Sequence, residues 1–449
     1  MANIEDQIIS FNQWHFDPSF RLATSPKPRD LFFYLVENFI NKDISLSISG
    51  LRRIGKTTIL FQLINHLLDQ KTDRRRILYF QFSEETVNLE KVLSLFFSRF
   101  SAEETNRGDF YIFLDELQYA KNWQFSLKSH IDKNKRIKFI VTGSASIYLL
   151  GRARESLAGR LLDFPLDPLS FSEMLRLKES HQTQYSAVKA LQDGGELEIF
   201  KKIQYERIPF KKLLNDYLRF GEFPALLPHL GDFEYSRKYL RDGIIDKILQ
   251  KDIRLFEVEK QEEITSLYKI CCSAAAQMIN LRDISRETGL SYPTIKKYLA
   301  VLKKTFLVES VKNRLRSIRS REKSLDKVFP VSINLAAAAL SIEDPLNPPY
   351  LDFKGHVIEN FIYNSVKKIG DVYYHNKAGK EIDLIVESGN KIITLEVKSA
   401  DTIKKTDLNH LIDFARKKNL DRGYLVYGGD LDVVKFGNKE IYLIPYWLF

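Results

Sequence analysis

Residues 44–58 read ISLSISGLRRIGKTT, and they decide the fold of the first part of the chain. The alternation of apolar and serine residues over 44–49 has the period of two that is typical of a β-strand. The string at 50–57 satisfies the pattern G-x-x-x-x-G-K-[ST], and apolar residues at helical spacing follow Thr58. A strand, a glycine-rich loop and a helix in this order predict a phosphate-binding P-loop.

The residue types of this loop suit a nucleoside triphosphate. Glycine lets the backbone curl around phosphate oxygens, so that N–H groups and the positive end of the next helix face negative charge. We expect Lys56 to reach the β- and γ-phosphates of ATP and Thr57 to hold Mg²⁺. The alternative is a chance Gly-Lys-Thr string, which the flanking strand and helix argue against. The predicted nucleotide-binding residues of the loop are Gly50, Arg53, Gly55, Lys56, Thr57 and Thr58.

A second motif supplies the acids that hydrolysis needs. Residues 110–116 read FYIFLDE, an apolar run that ends in two carboxylates. We expect Asp115 to bind the nucleotide's magnesium ion and Glu116 to polarise the attacking water as general base. The alternative is the start of a helix, where Asp and Glu are also favoured. Together with the P-loop, the motif favours hydrolysis over mere binding.

Further polar residues follow the next predicted strand, at 137–142. Ser144 is placed to contact the γ-phosphate or the attacking water. Arg152, Arg154 and Arg160 are candidates to offset charge that develops on the γ-phosphate, with Arg160 preferred. The alternative for each arginine is a solvated helix face. The strands predicted near 44–49, 77–82, 110–114, 137–142 and 161–164, with helices between them, indicate the doubly covered parallel sheet of an α/β P-loop NTPase.

Composition bounds the remaining possibilities. The 449 residues are 44% hydrophobic and 28% charged, which is typical of a globular protein with about three domains. No apolar stretch approaches the roughly 20 residues that cross a bilayer, and no secretory signal pattern is found at the amino terminus. We therefore expect a cytoplasmic protein without a membrane partner. The net charge of +10 permits attraction to polyanions.

The middle of the chain carries a helical pattern. Residues 176–278 are predicted to be a helical insertion and lid. Residues 281–308 show two short helices around a Thr-Gly-Leu-Ser turn, the pattern of a helix-turn-helix. Lys296 and Lys297 lie on the outer face of the second predicted helix, where they could meet DNA phosphates.

A basic segment follows at 312–327. It holds seven basic and two acidic side chains, a balance of +5 that is half of the chain's net charge. We expect a pair of basic strands that forms the wing of a winged helix and touches a nucleic-acid backbone. The alternative is a winged helix used for packing or protein contact. The predicted DNA-binding residues of the segment are Arg314, Arg316, Arg319 and Arg321.

Near the carboxyl terminus a third motif combines acids with a lysine. Two strands joined by a Ser-Gly-Asn turn place Glu396 and Lys398 on one face, and Asp383 can converge across the hairpin. Glu359, in an apolar helix, is a possible third acid. Asp383 and Glu396 could share Mg²⁺ or Mn²⁺ while Lys398 acts on water or phosphate, as in the PD-(D/E)XK nucleases. The alternative is a salt-bridged strand face.

In the order of its motifs, the chain resembles a large group of bacterial and archaeal AAA-type ATPases. A departure is Ser332 and Asn334, where relatives tend to carry an aspartate and a glycine. The resemblance implies a P-loop ATPase domain at 1–175, a helical lid at 176–278, a winged helix at 279–335 and a mixed α/β restriction-endonuclease-like domain at 336–449. It also implies a possible homo-oligomer. The motifs that carry the resemblance lie at 50–58, 114–119, 142–144, 157–160, 168–171 and 355–360.

Two functions follow from these patterns. The first is a DNA-directed ATPase that couples nucleotide state to a metal-dependent nuclease-like domain. The second is an ATP-gated regulatory or scaffolding switch whose winged helix binds DNA or protein and whose terminal domain does not cut. Cleavage of DNA with Mg²⁺ or Mn²⁺ discriminates between them.

Overall fold

The computed structural model describes residues 3–83, 87–100, 109–144, 157, 159–178, 186–315, 317–346, 353–377 and 379–449. They divide into two compact units. No helix within these ranges is both long and apolar enough to span a membrane. The first unit comprises Met1–Asp167, Lys251–Glu257 and Lys304–Phe306, and the second comprises Pro168–Gln250, Val258–Lys303 and Leu307–Phe449.

The first unit is a five-stranded parallel sheet with helices, as the strand pattern predicts. The strand order is β2-β3-β4-β1-β5, so the P-loop strand β1 lies between β4 and β5. The strands are β1 Ser45–Ser49, β2 Ile77–Gln81, β3 Phe110–Asp115, β4 Ile137–Gly143 and β5 Leu161–Pro165. The helices are α1 Ile4–Phe11, α2 Asp30–Asn38, α3 Lys56–Asp69, α4 Leu89–Leu95 and α5 Trp123–Lys133.

Burial explains why these strands are nearly all apolar. Every residue of β1, β3 and β4 is buried, which is expected for parallel strands covered on both faces. The predicted strands at 44–49, 77–82, 110–114, 137–142 and 161–164 are confirmed. Because all five strands run parallel, their carboxyl ends share one edge of the sheet, where the P-loop and Asp115 lie.

The second unit contains helices and a nine-stranded mixed sheet. Its strands are β6 Gln277–Ile279, β7 Val308–Asn313, β8 Asp326–Pro330, β9 Asp371–Lys377, β10 Lys380–Ser388, β11 Lys391–Val397, β12 Arg422–Tyr427, β13 Asp432–Phe436 and β14 Lys439–Pro445. Its helices are α6 Phe171–Lys178, α7 Ala187–Gln192, α8 Leu197–Arg207, α9 Leu213–Asp216, α10 Phe233–Leu240, α11 Asp246–Gln250, α12 Gln261–Ser273, α13 Leu281–Thr288, α14 Tyr292–Lys304, α15 Ile318–Lys323, α16 Ile333–Ala339, α17 Phe353–Val366 and α18 Asn409–Lys418.

The sheet of the second unit joins two regions that sequence analysis treats separately. Its strand order is β13-β14-β12-β11-β10-β9-β7-β8-β6. The link is a short parallel pairing of β7 with β9, in which Lys312 lies beside Tyr373 and Asn313 beside Tyr374. The strands after the predicted helix-turn-helix therefore continue into the sheet of the carboxyl-terminal region. The division of the chain into four domains stays a prediction.

Two local predictions need correction. The basic segment is not a plain strand pair, because α15 lies between β7 and β8, capped where the Ser317 hydroxyl accepts a hydrogen bond from the Ser320 N–H. The polar composition from 178 to about 207 predicts an exposed helical insertion or linker, but residues 186–207, the described part of this stretch, are not exposed throughout. Its helices α7 and α8 bury Ala190, Phe200 and Ile203 in the main core of the second unit, because their apolar residues recur at helical spacing.

Candidate functional site

The P-loop owes its shape to two glycines. Gly50 has a φ of 146°, and a Cβ there would lie 2.3 Å from the Leu166 carbonyl oxygen. Gly55 has a φ of 101° and caps the start of α3. Side chains rarely adopt such backbone angles, so glycine is required at both places. Thr58 lies in the first turn of α3, and Arg53 also has a positive φ, 64°.

Lys56 is buried in the loop that it follows. Its ammonium donates to the carbonyl oxygens of Gly50, at 3.0 Å, and Leu51, at 2.7 Å. Burial lowers the pKa of Lys56. The lysine therefore lies inside the loop, held by neutral acceptors that the charged oxygens of a phosphate can replace.

Asp115 is the centre of a hydroxyl cluster at the end of β3. Its carboxylate accepts hydrogen bonds from the hydroxyls of Thr57, at 2.7 Å, Tyr79, at 3.1 Å, and Thr142. Burial raises the pKa of Asp115. A hydroxyl beside a carboxylate offers the hard oxygen donors that Mg²⁺ prefers, so Thr57 and Asp115 fit a nucleotide-bound magnesium ion. Tyr79 belongs to no recognisable sequence motif. The only feature of the sequence that points to it is its place on the strand next to β3.

Glu116 adopts an unusual backbone conformation beside this cluster. Its φ is 53°, and its N–H donates to the Thr142 hydroxyl at 3.0 Å. The Gln118 side-chain amide donates to the Glu116 carboxylate and, at 3.1 Å, to the Ser144 hydroxyl. Strained residues cluster at active sites. Gln118, which sequence analysis missed, therefore bridges the predicted general base and the predicted γ-phosphate contact.

A further pair in the first unit was also missed. Arg52, in the P-loop, donates through Nε to the Asp252 carboxylate at 2.8 Å and through a second nitrogen to the Tyr119 hydroxyl. Asp252 is fully buried and belongs to the Lys251–Glu257 segment, which is 193 or more positions from this loop in sequence yet part of the first unit. Because of this separation, local sequence patterns do not show that Asp252 pairs with Arg52.

Arg160 is not near the P-loop of its own chain. It precedes β5, whose first residue pairs with Ser45 at the start of β1, whereas the P-loop follows the other end of β1. A strand of five residues spans roughly 16 Å. Arg160 instead forms an ion pair with Asp132. Arg160 therefore does not lie near the P-loop of its own chain, and its role at a γ-phosphate stays a prediction; Arg152 and Arg154 lie outside the described residues.

The two helices α13 and α14 form the predicted pair around a turn. Gly289 ends α13 with a φ of 72°. Lys296 and Lys297 are exposed on α14, while Ile295 and Leu299 are buried. A groove of about 860 Å³ runs between these helices and the β7–β8 segment. Its charged lining residues are Arg282, Lys296, Lys303, Lys312, Lys323, Glu322 and Asp326.

Much of the basic segment is engaged within the second unit. Arg314 forms an ion pair with Glu387. Arg321 donates to the Leu315 carbonyl oxygen at 2.8 Å and lies over the Tyr373 ring. Arg319 is exposed, and Arg316 lies outside the described residues. Of the predicted arginines that the structure describes, Arg319 is the best placed to meet a phosphate backbone.

The carboxyl-terminal acids do converge. Glu359 on α17 and Asp383 on β10 face one another across a shared partner, while Glu396 on β11 accepts a hydrogen bond from Lys398 at 2.8 Å. The Asp383 carboxylate also accepts from the Val397 N–H at 2.8 Å. Burial, followed by the nearby charge of Asp383, raises the pKa of Glu359 and of Glu396 to about 8.

The shared partner is Lys327, which sequence analysis counted among the basic segment. Its ammonium lies 2.6 Å from Glu359, 2.9 Å from Glu381 and 3.8 Å from Asp383. One oxygen each of Glu359 and Asp383 therefore already pairs with the Lys327 ammonium, and one oxygen of Glu396 pairs with Lys398. Within the described ranges no group of three or more acidic, histidine or cysteine side chains is arranged to hold a metal. The residues therefore do not fit the Mg²⁺ or Mn²⁺ that the nuclease motif implies at Asp383 and Glu396.

Three stretches of the chain match known protein families. Residues 42–175 match a family described as AAA domain. Residues 211–346 and 354–449 match two families described as domains of unknown function, DUF8612 and DUF4143. The first match agrees with the P-loop and the parallel sheet. Residues 42–175 therefore form an AAA-type P-loop domain.

Comparison with curated proteins finds relatives of similar length. The chain is similar to an uncharacterized protein of Methanocaldococcus jannaschii, with 24% identity over 91% of this chain and 90% of the relative. It is also similar to an uncharacterized protein of Haemophilus influenzae, with 23% identity over 94% of this chain and 98% of the relative.

Solved structures give weaker similarities. The replication initiator DnaA bound to AMPPCP and single-stranded DNA is 15% identical, with a TM-score of 0.25 over 61% of this chain and 86% of that one. The Bacillus subtilis DNA clamp loader delta protein is 10% identical, with a TM-score of 0.26 over 75% of this chain and 98% of that one. Similarities at this level carry no argument about fold or function.

Proposed function

We propose that the chain is an ATP-hydrolysing, DNA-binding switch whose nucleotide state controls how tightly it holds DNA. The observation that supports this proposal most is the group formed by Lys56, Thr57 and Asp115 at one edge of the parallel sheet. It combines a lysine, a hydroxyl and a carboxylate in the places where ATP-hydrolysing P-loop proteins need them.

Different residues of the first unit have separate roles in ATP binding and hydrolysis. The loop N–H groups and the Lys56 ammonium bind the phosphates, and Thr57 with Asp115 would hold a magnesium ion. Such an ion neutralises phosphate charge and orients the triphosphate. Glu116 accepts a proton from the attacking water, and the Gln118 contact holds its carboxylate next to Ser144. Hydrolysis then releases the contacts that the γ-phosphate made.

The DNA-binding part of the proposal is supported by charge on one groove of the second unit. Arg282 and Lys296 line it and are exposed, and Lys297 lies next to Lys296 on the same helix. Acidic lining residues pair with Lys312, so the exposed cations dominate at α13 and α14. Phosphate contacts of this kind attract any DNA sequence.

The test is a measurement of DNA affinity in two nucleotide states. Fluorescence anisotropy with labelled duplex DNA is compared for wild type with ADP and for Glu116→Gln with ATP, which we expect this variant to bind and to hydrolyse slowly. We expect the two affinities to differ, and Lys296→Ala/Lys297→Ala to weaken DNA binding in both states. Lys201→Ala, at an exposed helix position of the same unit, should change nothing. Equal affinities in the two states would contradict the switch.

Metal-dependent cutting of the bound DNA is the second candidate. One observation favours it, namely that Glu359, Asp383 and Glu396 meet within one region and that Lys398 lies beside them. Purified protein incubated with linear, branched and single-stranded DNA and Mn²⁺ would reveal this activity. Cutting would require these acids to hold a metal, and the Lys327 ammonium already pairs with Glu359 and Asp383. Assembly into a homo-oligomer also stays a prediction, for which the mass of the chain in solution is the measurement.

A further inference from the structure

Lys327 lies where a charged side chain is rarely found. It occupies the second position of β8 and is only 3% exposed. Its ammonium reaches three carboxylates that come from α17 and β10, and it lies 5.7 Å from the centre of the Tyr374 ring. Burying an unpaired ammonium is costly, so these carboxylates are what allows it to remain inside.

Two of these acids, Glu359 and Asp383, belong to the predicted metal site, whose other carboxylate, Glu396, pairs with Lys398. An ammonium has three N–H donors and no acceptor, so it can satisfy several carboxylates at once but cannot act as a metal ligand. A divalent ion that shared Glu359 and Asp383 would lie within about 4 Å of the Lys327 charge. At that distance two positive charges repel even in water, and more strongly in a buried site.

We infer that Lys327 is a built-in cation that takes the place of the divalent metal, so that the second unit completes its acidic cluster without metal and does not cut DNA. The lysine links β8 to α17 and β10 and thereby holds the two regions of the nine-stranded sheet together. This inference does not rest on ATP hydrolysis or DNA binding by the chain.

The inference predicts that removal of the lysine creates a metal site. In Lys327→Ala, the three acids face an emptied position and have lost the cation that they share. Their oxygens are the donors that Mn²⁺ accepts. We expect Lys327→Ala to bind Mn²⁺ at least about tenfold more tightly than wild type, and Lys327→Ala/Asp383→Asn to lose that gain, since the site depends on a carboxylate ligand.

The experiment titrates Mn²⁺ into protein stripped with EDTA, without nucleotide, and follows free Mn²⁺ by electron paramagnetic resonance. Lys367→Ala is the matched control, because the Lys367 ammonium also pairs with a carboxylate, that of Glu309 at 3.0 Å, in the same unit. The control should bind no more Mn²⁺ than wild type. A folded Lys327→Ala variant that gains no Mn²⁺ binding would overturn the inference.

The wild-type titration is decisive even if Lys327→Ala unfolds in EDTA. Mn²⁺ binding by wild type that disappears in Asp383→Asn and in Glu396→Gln would overturn the inference. If Lys327→Ala unfolds, the same variant is refolded with and without Mn²⁺ and followed by near-ultraviolet circular dichroism. Mn²⁺ should then restore Lys327→Ala and leave Lys367→Ala unchanged, while failure to restore it would count against the inference. ATP turnover, measured separately, distinguishes this outcome from failure of the proposed function.

Discussion

The two acidic sites of the protein are built from similar residues and differ in what surrounds them. Asp115 and Asp383 each lie buried on a strand of a sheet. Asp115 faces hydroxyl groups, including that of Thr57, whereas Asp383 faces the Lys327 ammonium. A hydroxyl oxygen can join a carboxylate in holding a metal, and an ammonium cannot. The groups next to the acids, and not the number of acids, therefore decide whether a site can bind a metal.

The lysines of the two sites also differ in the groups that accept their hydrogen bonds. The Lys56 ammonium is held by backbone carbonyls, which are neutral, so a phosphate can compete for it. The Lys327 ammonium is held by carboxylates, and a charged, buried pair of this kind is costly to separate. The first site is open to an anionic ligand and its metal, whereas the second is closed by its own residues.

The largest expected effect lies in the first site. Glu116→Gln should lower ATP turnover by about 10²–10⁴-fold because it removes the proposed general base, while ATP binding survives. Lys56→Ala should lose nucleotide binding, since it removes the cation that meets the phosphates. Steady-state hydrolysis and binding of a fluorescent ATP analogue measure the two properties. Lys133→Ala, at an exposed position of the same unit, is the control. Unchanged turnover in Glu116→Gln would remove this residue from the role.

The next largest effect is expected at the second site, on the free energy of unfolding. Lys327→Met should lower the free energy of unfolding by about 3–5 kcal/mol, because it leaves buried carboxylates without their cation. Lys367→Met, which breaks the more exposed pair with Glu309, should cost at most about 1 kcal/mol. Urea denaturation of the two variants gives the comparison. Equal losses would mean that Lys327 has no special place in the fold.

The pair of Arg52 and Asp252 should have an intermediate effect on the first unit. Asp252→Asn keeps the size of the side chain but removes the charge that Arg52 faces, and we expect a loss of about 1–3 kcal/mol. Asp69→Asn is the control, because the Asp69 pair with Arg21 is exposed to solvent. Thermal unfolding of the full chain gives the two values. If Asp69→Asn lost more stability than Asp252→Asn, the pair of Arg52 and Asp252 would not stabilise the fold as a buried ion pair.

The smallest expected effects concern DNA. Arg319→Ala and Lys296→Ala should each reduce the slope of log affinity against log salt by about 1, because each removes one phosphate contact. Arg314→Ala should leave the slope unchanged, since Arg314 already pairs with Glu387. DNA titrations at several salt concentrations separate these cases. A slope that falls equally in all three variants would mean that the Arg314 pair opens on DNA.

Local patterns in the sequence were sufficient for the first unit and only partly so for the second. The alternation at 44–49 and the acids at 115 and 116 predict the strand, loop and site because each signal lies within a few residues of the structure it specifies. Lys327 looks like one more basic residue in a basic segment, and its role depends on acids 32 or more positions away. Asp252 is separated from Arg52 by 200 positions.

Two placements that the sequence does not show have the same physical cause. Residue type alone marks Arg160 for the phosphate site, whereas parallel pairing of β5 with β1 places it at the opposite edge of the sheet of its own chain. Charge alone marks Arg314 for DNA, and in the structure it pairs with Glu387 on β10. A charged side chain has a role that its partners decide, and partners brought together by a sheet are not visible in a single stretch of sequence.

The most direct test of the contrast between the two sites is a Mn²⁺ titration of the wild-type chain with and without a nonhydrolysable ATP analogue. We expect tight Mn²⁺ binding only when the nucleotide is present, and we expect it to be lost in Thr57→Ala, because Thr57 and Asp115 are the residues that we propose hold the ion. Asp383→Asn should leave the binding unchanged. Tight Mn²⁺ binding without nucleotide that is lost in Asp383→Asn would contradict the account.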